Sequence, residues 1–447
     1  MNAGTVAIKT IGCKLNRYDS EAIRSLFEQA GYLSCPFEEQ ADVYVINSCT
    51  VTAQSDRDSR RLARQAARRN PAAFVIVTGC YAQREPDALA SLPGVSAVVG
   101  NEGKWTLPDL VNGKCGQNTQ ASGTAQGTCP GFPLVNRFTS LTRALLKIQD
   151  GCDEKCAYCV VPLARGPSRS RPLEEVLAEA RQLIASGHQE IVLVGVHLGD
   201  YGKQKGSPGS ADPAKCVREL LALPGLGRLR LSSLEPTEVT PEIVYLLAQE
   251  PKLCRHLHLP LQSGDDEVLR RMNRRYRRVE YAEVVNDLVR AVPGIAVGAD
   301  VIVGFPGETE REFRNTCDFI ERLPLAYLHV FSYSRRPGTA AASMSGQVPE
   351  DVKKRRCCHI RALSERKRLA FRRRLLGTNQ TILLEKGEED DAPAACGDHS
   401  SGVKVPSGLT DNYVRVCLPA APASDGLLEV EVTSVDRMIV KGRVVSP

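Results

Sequence analysis

No apolar run in the 447-residue sequence approaches the roughly 18 consecutive residues that a membrane-spanning helix needs. Nor is there a basic stretch followed by an apolar core near the start. The first ten residues run straight into a strand-like segment, so no secretory leader is expected and the expected location is the cytoplasm. Charge of one sign is also scarce: the formal net charge is +6, which permits an anionic partner without demanding one. The balance is uneven, because residues 375–447 carry six Lys and Arg against eleven Asp and Glu. Basic character is thereby confined to the front and middle of the chain. With 42% hydrophobic and 25% charged residues, the composition is that of an ordinary globular protein and excludes disordered and collagen-like classes.

Cysteine, by contrast, is abundant, at sixteen residues. A disulfide framework suits small secreted domains rather than a chain of this length without a leader. Metal binding or catalysis is the expected use, with some cysteines packing as small hydrophobes.

Four segments are expected. Residues 1–112 alternate strands (5–11, 42–47, 74–78, 97–99) with helices (20–30, 59–69), which predicts an N-terminal parallel-sheet α/β domain. Residues 113–137 are small, polar and rich in Gly, and read as a linker. Residues 138–374 repeat the strand–helix alternation six times, with strands at 144–149, 190–195, 228–234, 256–261, 296–303 and 327–333. Helices are expected at 173–185, 214–221, 241–249, 266–290 and 308–322, then a long basic helix at 350–376. Such a series predicts a partial (β/α)6 barrel that works at the C-terminal ends of its strands. Residues 375–447 hold short strand-like runs at 381–385, 413–417, 428–433 and 438–445, the pattern of a small antiparallel β-barrel. The fold class is therefore α/β with an appended β-barrel.

The sharpest motif is Gly151-Cys152-Asp153-Glu154-Lys155-Cys156-Ala157-Tyr158-Cys159, a C-x3-C-x2-C that follows the first strand of the second series. Three close thiolates do not complete a tetrahedral zinc site, which would need a distant fourth ligand. They suit a 4Fe–4S cluster with one iron left open. A second set, Cys13, Cys49 and Cys80, ends three separate strands of the first series. In a parallel sheet those ends share one edge, so the three converge, and Gly12 and Gly79 let the backbone approach a bulky group. The alternative is three unrelated buried cysteines.

The C-x3-C-x2-C motif resembles that of the radical S-adenosylmethionine (SAM) enzymes, which use this spacing on a part-barrel of six βα units. Two three-cysteine sites in this order resemble the methylthiotransferase branch of that family. Further stretches carry the likeness: Gly12-Cys13-Lys14-Leu15-Asn16-Arg17-Tyr18, Asn47-Ser48-Cys49-Thr50, Thr78-Gly79-Cys80-Tyr81, Arg165-Gly166-Pro167-Ser168-Arg169 and Gly304-Phe305-Pro306-Gly307. Among its sub-branches, Gly12 to Tyr18 and the tail phrase Gly408-Leu409-Thr410-Asp411-Asn412-Tyr413-Val414 resemble the one acting on N6-threonylcarbamoyladenosine, 3′ to the anticodon of tRNA.

The resemblance implies a tRNA-modifying enzyme that replaces the C2 hydrogen of the adenine at position 37 with a methylthio group. It implies two 4Fe–4S clusters, on Cys13, Cys49, Cys80 and on Cys152, Cys156, Cys159, and two SAM molecules in different roles. One donates a methyl to sulfide at the first cluster; the other is cleaved at the second to a radical. It implies a TRAM-like RNA-binding tail, an electron donor of flavodoxin or ferredoxin type, a sulfur source, and no membrane. SAM is expected across the strand ends, near Gly195, Ser233, Glu235, Gln262 and Gly304. The Arg270–Arg278 cluster and the basic run over 353–374 are expected to face phosphates. The acidic tail would need a local patch at Arg415, Arg437, Lys441 and Arg443. Cys115, Cys129, Cys357, Cys358, Cys396 and Cys417 are read as incidental, His188, His258 and His329 as structural, and the acidic run at 388–391 as a loop insertion. Two other readings remain open: isopentenyladenosine or a ribosomal-protein aspartate as substrate, or a non-catalytic RNA-binding protein with structural metal.

Overall fold

The computed structural model describes residues 4–113, 133–135, 137–138, 141–203, 212–385, 405–422, 426–437 and 439–445. Most of the expected linker lies outside the described residues, as do Cys115, Cys129, Cys396 and the acidic run at 388–391.

The chain begins with strand β1 (Thr5–Thr10), helix α1 (Lys14–Gln29) and strands β2 (Leu33–Ser34) and β3 (Val43–Ser48). Then come α2 (Ala53–Arg69), β4 (Phe74–Gly79), α3 (Cys80–Arg84), α4 (Pro86–Ala90), β5 (Ala97–Val99) and α5 (Leu107–Val111). The five strands form one parallel sheet in the order β2-β1-β3-β4-β5. Period-2 alternation explains its two cores. Tyr44 and Ile46 pack with Leu62 and Ala66 of α2, whereas Val43 and Val45 pack with Ile23 and Phe27 of α1. β3 is therefore buried along its whole length, as a central parallel strand must be. Helix α1 starts six residues before the expected position. Its early turns bury Asn16, Asp19 and Ser20, polar side chains that mask the apolar period in the sequence.

The second series contains β6 (Ala144–Lys147), β7 (Gln149–Asp150), α6 (Val161–Arg165), β8 (Arg169–Ser170), α7 (Leu173–Ala185) and β9 (Glu190–Val194). It continues with α8 (Pro213–Leu221), β10 (Arg228–Leu231), α9 (Pro241–Gln249), β11 (His256–His258), α10 (Asp266–Arg271) and α11 (Arg278–Ala291). It closes with β12 (Ala296–Val303), α12 (Glu310–Arg322), β13 (Tyr327–Ser332) and the basic helix α13 (Glu350–Arg373). Strands β6, β9 and β10 form one parallel sheet and β11, β12 and β13 another. Parallel bridges Leu229–Leu253 and Ser233–His258 connect them, giving the six-stranded part-barrel expected. The helix expected over 266–290 is broken in two, because Asn273 adopts a left-handed φ of 59° that ends α10.

The tail closes a five-stranded barrel in the order β14 (Asn379–Leu384), β15 (Ser407–Thr410), β16 (Arg415–Cys417), β18 (Val440–Val444) and β17 (Leu427–Val435). Every pairing is antiparallel except β16–β18. β15 is absent from the sequence reading, since Pro406 and Gly408 hide so short a strand.

By compactness the chain forms two units. The first comprises Met1–Asn136, Gln149–Arg171 and Ser334–Ser343; the second comprises Arg137–Ile148, Pro172–Tyr333 and Met344–Pro447. The C-x3-C-x2-C segment thus belongs to the first unit, together with the parallel sheet.

Within the second unit, the tail barrel is tied on by buried charge. Glu190 on β9 pairs with Arg228 and Arg230 of β10 at 2.5 and 2.7 Å. Those guanidiniums donate onward to the carbonyls of Thr381, Leu409 and Thr410. Asp411 of the tail accepts from Arg255 at 2.6 Å, so part of the tail's negative balance serves docking. Burial works against the charge of Glu190, but Arg230 and Arg228 prevail and hold its carboxyl down to about 2. Glu190→Gln should cost about 3–5 kcal/mol in urea denaturation at neutral pH, because two buried cations lose their partner. The folded-state value lies below the roughly 4.3 of an unfolded Glu. The contribution is therefore complete above that pH and is lost as pH falls towards about 2. The midpoints of wild type and variant should converge on acidification.

Candidate active site

The two cysteine sets are built on the first unit. β1 leads through Gly12, at φ 103°, to Cys13, the residue that caps α1, whose positive dipole end favours negative charge there. Cys49 directly follows β3, and Cys80 opens α3 after Gly79, at φ 93°. Side chains knit the three turns together. Asn16 donates its amide to the Ile11 carbonyl at 2.7 Å and the Ser48 carbonyl at 3.0 Å. Ser48 donates to the Thr78 carbonyl and accepts from the Ala82 amide. A Cβ at Gly12 would lie 2.8 Å from the Cys49 sulfur, and one at Gly79 would lie 2.5 Å from the Ser48 carbonyl oxygen. Both positions require glycine for conformation and for space. Burial, then the Cys13 and Cys80 thiols, push the Cys49 thiol up to about 12. The three cysteines thus follow the C-terminal ends of β1, β3 and β4, which are neighbours in one parallel sheet.

The second set lies on the loop between β7 and α6. The loop root is the antiparallel pair β7–β8, with Gln149 opposite Ser170 and Asp150 opposite Arg169. Gly151, at φ 72°, abuts the Pro167 carbonyl, leaving no room for a Cβ. Cys152 donates its amide to Gly166 at 3.1 Å, and Cys159 donates to the Cys156 carbonyl at 3.0 Å. Gln149 donates to Gly151 and Ser168 at 2.7 and 2.9 Å. All three cysteines are partly exposed. Each set thus offers three thiols beside a left-handed glycine. Three thiolate donors in each set fit a cubane with one unligated iron, whereas a closed zinc site would need a fourth ligand.

The structure adds residues that the sequence reading passed over. Arg165, the last residue of α6, forks onto both oxygens of Asp150 at 2.9 and 3.0 Å. Its other edge donates to Asn16 Oδ1 at 2.5 Å and Asp19 Oδ2 at 3.3 Å. Lys104 bonds the same Asp19 oxygen at 2.5 Å. Asn101 donates to the Ala164 carbonyl at 2.7 Å and reaches the Cys80 sulfur at 3.9 Å. The readable signal is polar Asn16 and Asp19 on the buried face of an amphipathic helix, because buried polar groups need partners.

In the second unit, Gly195, Ser233, Glu235, Gln262 and Gly304 all follow the C-terminal ends of barrel strands. Gln262 has φ 62°, a strained value for a non-glycine residue, and its buried Oε1 has no hydrogen-bond partner among the described residues. An acceptor held in this way fits a ligand amino group. Ser233 is exposed, whereas Glu235 pairs with Arg274 and shares a capping box with Glu238. Gly304, at φ 73°, has the stem of Lys353 beside its Cα. His197, also unread from the sequence, is held between Asp200 at 2.9 Å and Glu238 at 2.7 Å just beyond β9.

The basic clusters are largely consumed internally. Arg271 pairs with Glu312, Arg274 with Glu235, Arg356 with Glu308 and Lys353 with Glu350. Lys354, Arg361 and Arg373 on α13, and Arg374 just beyond it, are exposed. In the tail, Arg415 and Arg443 pair with Glu385 and Glu431, which reduces the local patch expected there. No helix among the described residues is long and apolar enough to cross a membrane.

A family model described as "Uncharacterized protein family UPF0004" matches residues 5–100, and one for the Radical SAM superfamily matches residues 146–320. The fold is similar to that of the radical SAM methyltransferase TsrM from Kitasatospora setae, with a TM-score of 0.56 and 19% identity over 76% of this chain and 77% of that one. The architecture and the cysteine loop therefore define a radical SAM enzyme. The threonylcarbamoyladenosine tRNA methylthiotransferase MtaB of Bacillus subtilis is 41% identical, covering 92% of this chain and 90% of its own. The tRNA-2-methylthio-N6-dimethylallyladenosine synthase of Sorangium cellulosum is 35% identical, covering 96% and 91%. This chain belongs to the radical SAM tRNA methylthiotransferase family. Its cofactors are SAM and 4Fe–4S clusters, and its substrate class is tRNA.

Proposed function

We propose that the protein methylthiolates C2 of N6-threonylcarbamoyladenosine at position 37 of tRNA, in the cytoplasm. In this reading Cys13, Cys49 and Cys80 hold one 4Fe–4S cluster and Cys152, Cys156 and Cys159 hold the other. The observation that carries it is the pair of three-cysteine sets on one compact unit, each built beside a left-handed glycine. When bound, the two clusters with SAM supply a methylated sulfur and a 5′-deoxyadenosyl radical.

The chain's own residues bind and orient. Gly12 and Gly79 keep side chains out of the sheet-edge site, and Gly151 shapes the loop of the other. Gln262 Oε1 accepts from an amino group of SAM, with Gly195, Ser233, Glu235 and Gly304 completing the expected strand-end contacts. Exposed Lys354, Arg361, Arg373 and Arg374 meet tRNA phosphates as positioning contacts without sequence information. A flavodoxin- or ferredoxin-like donor supplies electrons, and a separate sulfur source renews the transferred sulfur.

The threonylcarbamoyl branch is favoured over the isopentenyl branch by the Gly12 to Tyr18 motif and by the higher identity to the Bacillus subtilis relative. Nucleoside mass spectrometry of tRNA from cells with and without the gene tests the choice. Loss of the methylthio-threonylcarbamoyl nucleoside is expected. Loss of methylthio-isopentenyladenosine in its place would move the protein to the other branch.

A further inference from the structure

We propose that Arg165 is a positioning residue that sets the spacing between the two cysteine sites, gripping the root of the Cys152 loop with one edge of its guanidinium and the scaffold of the Cys13 site with the other. The inference rests on the two-site reading above.

The geometry is specific. Nη1 meets both oxygens of Asp150, which lies two residues before Cys152 and whose Oδ1 also accepts the Gly151 amide at 2.8 Å. Nη2 meets Asn16 Oδ1, and the amide nitrogen of that same side chain spans the carbonyls of Ile11 and Ser48. Ile11 precedes Gly12-Cys13, and Ser48 precedes Cys49. The third cysteine is reached through the residue before Arg165, since Asn101 links the Ala164 carbonyl to the Cys80 sulfur. A single planar group is therefore hydrogen-bonded, directly or through one side chain, to the turns that carry both sites.

The charge arrangement supports the same role. Arg165, Lys104, Asp19 and Asp150 are all buried, and ion pairs join Arg165 to Asp19 and Asp150 and Lys104 to Asp19. Through Asn16, the Arg165 guanidinium thus places a buried cation next to the turns that precede Cys13 and Cys49. It should make the sheet-edge site easier to reduce as well as hold it in place. Lysine cannot replace it fully, because a point charge on a flexible stem lacks the two-edged fork.

Transfer of a sulfur-borne group to a substrate radical depends on the distance between the two sites, and misplacement by about 1 Å can cost on the order of 100-fold. The test uses the full chain, loaded anaerobically with iron and sulfide, as wild type, Arg165→Gln and Arg165→Lys. The readouts are iron per chain, 5′-deoxyadenosine released per methylthiolated nucleoside, and the midpoint potential of the sheet-edge cluster. The potential is measured in a background that has alanine at 152, 156 and 159.

Arg165→Gln should raise the ratio of 5′-deoxyadenosine to product about 10–100-fold and shift the potential to more negative values. Arg165→Lys should also raise the ratio but leave the potential near that of wild type. A purely structural role would lower both products together and leave their ratio unchanged. Iron-loaded Arg165→Gln with the wild-type ratio overturns the proposal. If that variant does not hold iron, loaded Arg165→Lys with the wild-type ratio overturns it, and loss of iron from both variants marks Arg165 as a folding residue and overturns it too. Iron for a single cluster in the unsubstituted protein would instead bring down the two-site reading itself.

Discussion

Replacing Cys152, Cys156 and Cys159 together with alanine should abolish reductive cleavage of SAM while leaving about half of the iron bound. The loop is shaped largely by backbone and side-chain contacts outside its thiols. Its root is the β7–β8 pair, its first turn is set by Gly151 against the Pro167 carbonyl, and Gln149 and Asp150 bond it from within. Alanine at three partly exposed positions leaves those contacts intact, so the variant should fold. The sheet-edge set is untouched, because Cys13, Cys49 and Cys80 hang on different strands and on the Asn16 and Ser48 hydrogen bonds. Iron analysis and chromatography of 5′-deoxyadenosine read both halves of the result. Undiminished cleavage in the triple variant would contradict the assignment of this loop.

The converse substitution separates the two chemistries. Cys49→Ala should reduce tRNA methylthiolation to background while retaining most of the SAM cleavage. Cys49 is the most enclosed of its set, with the Gly12 backbone against its sulfur. Losing one of three ligands leaves two, too few to hold a cubane in competition with solvent. The loop that carries Cys152 keeps its own contacts, so 5′-deoxyadenosine should still form when tRNA and reductant are supplied. Equal loss of both products in a folded Cys49→Ala protein would mean that the two sets do not act as separate sites.

Much of this was legible because strands announce themselves. Val43 to Ser48 and Phe74 to Gly79 are apolar runs that end in Gly or Ser, and a parallel sheet sends every such end to one edge. That rule alone collects Cys13, Cys49 and Cys80 from positions far apart in the chain. Pairing across the molecule was not legible. Arg165, Asn16, Asp19, Asp150 and Lys104 make one buried network from four separated places, and no local pattern says which charge meets which. Density of positive charge also misled. The arginines at 271, 274 and 356 look available in sequence, yet each meets a glutamate supplied by a distant element. The break at Asn273 escaped because its flanks have helical composition, and one left-handed residue leaves little trace in the apolar period.

The most direct measurement is the nucleoside profile of tRNA from a strain lacking this gene, complemented in turn by wild type, Cys49→Ala and the triple alanine variant. The account predicts that 2-methylthio-N6-threonylcarbamoyladenosine disappears on deletion while its unmethylthiolated parent accumulates. Wild type should restore it, and neither cysteine variant should. Restoration by either cysteine variant, or an unchanged profile in a deletion strain with no second copy of the gene, would contradict it.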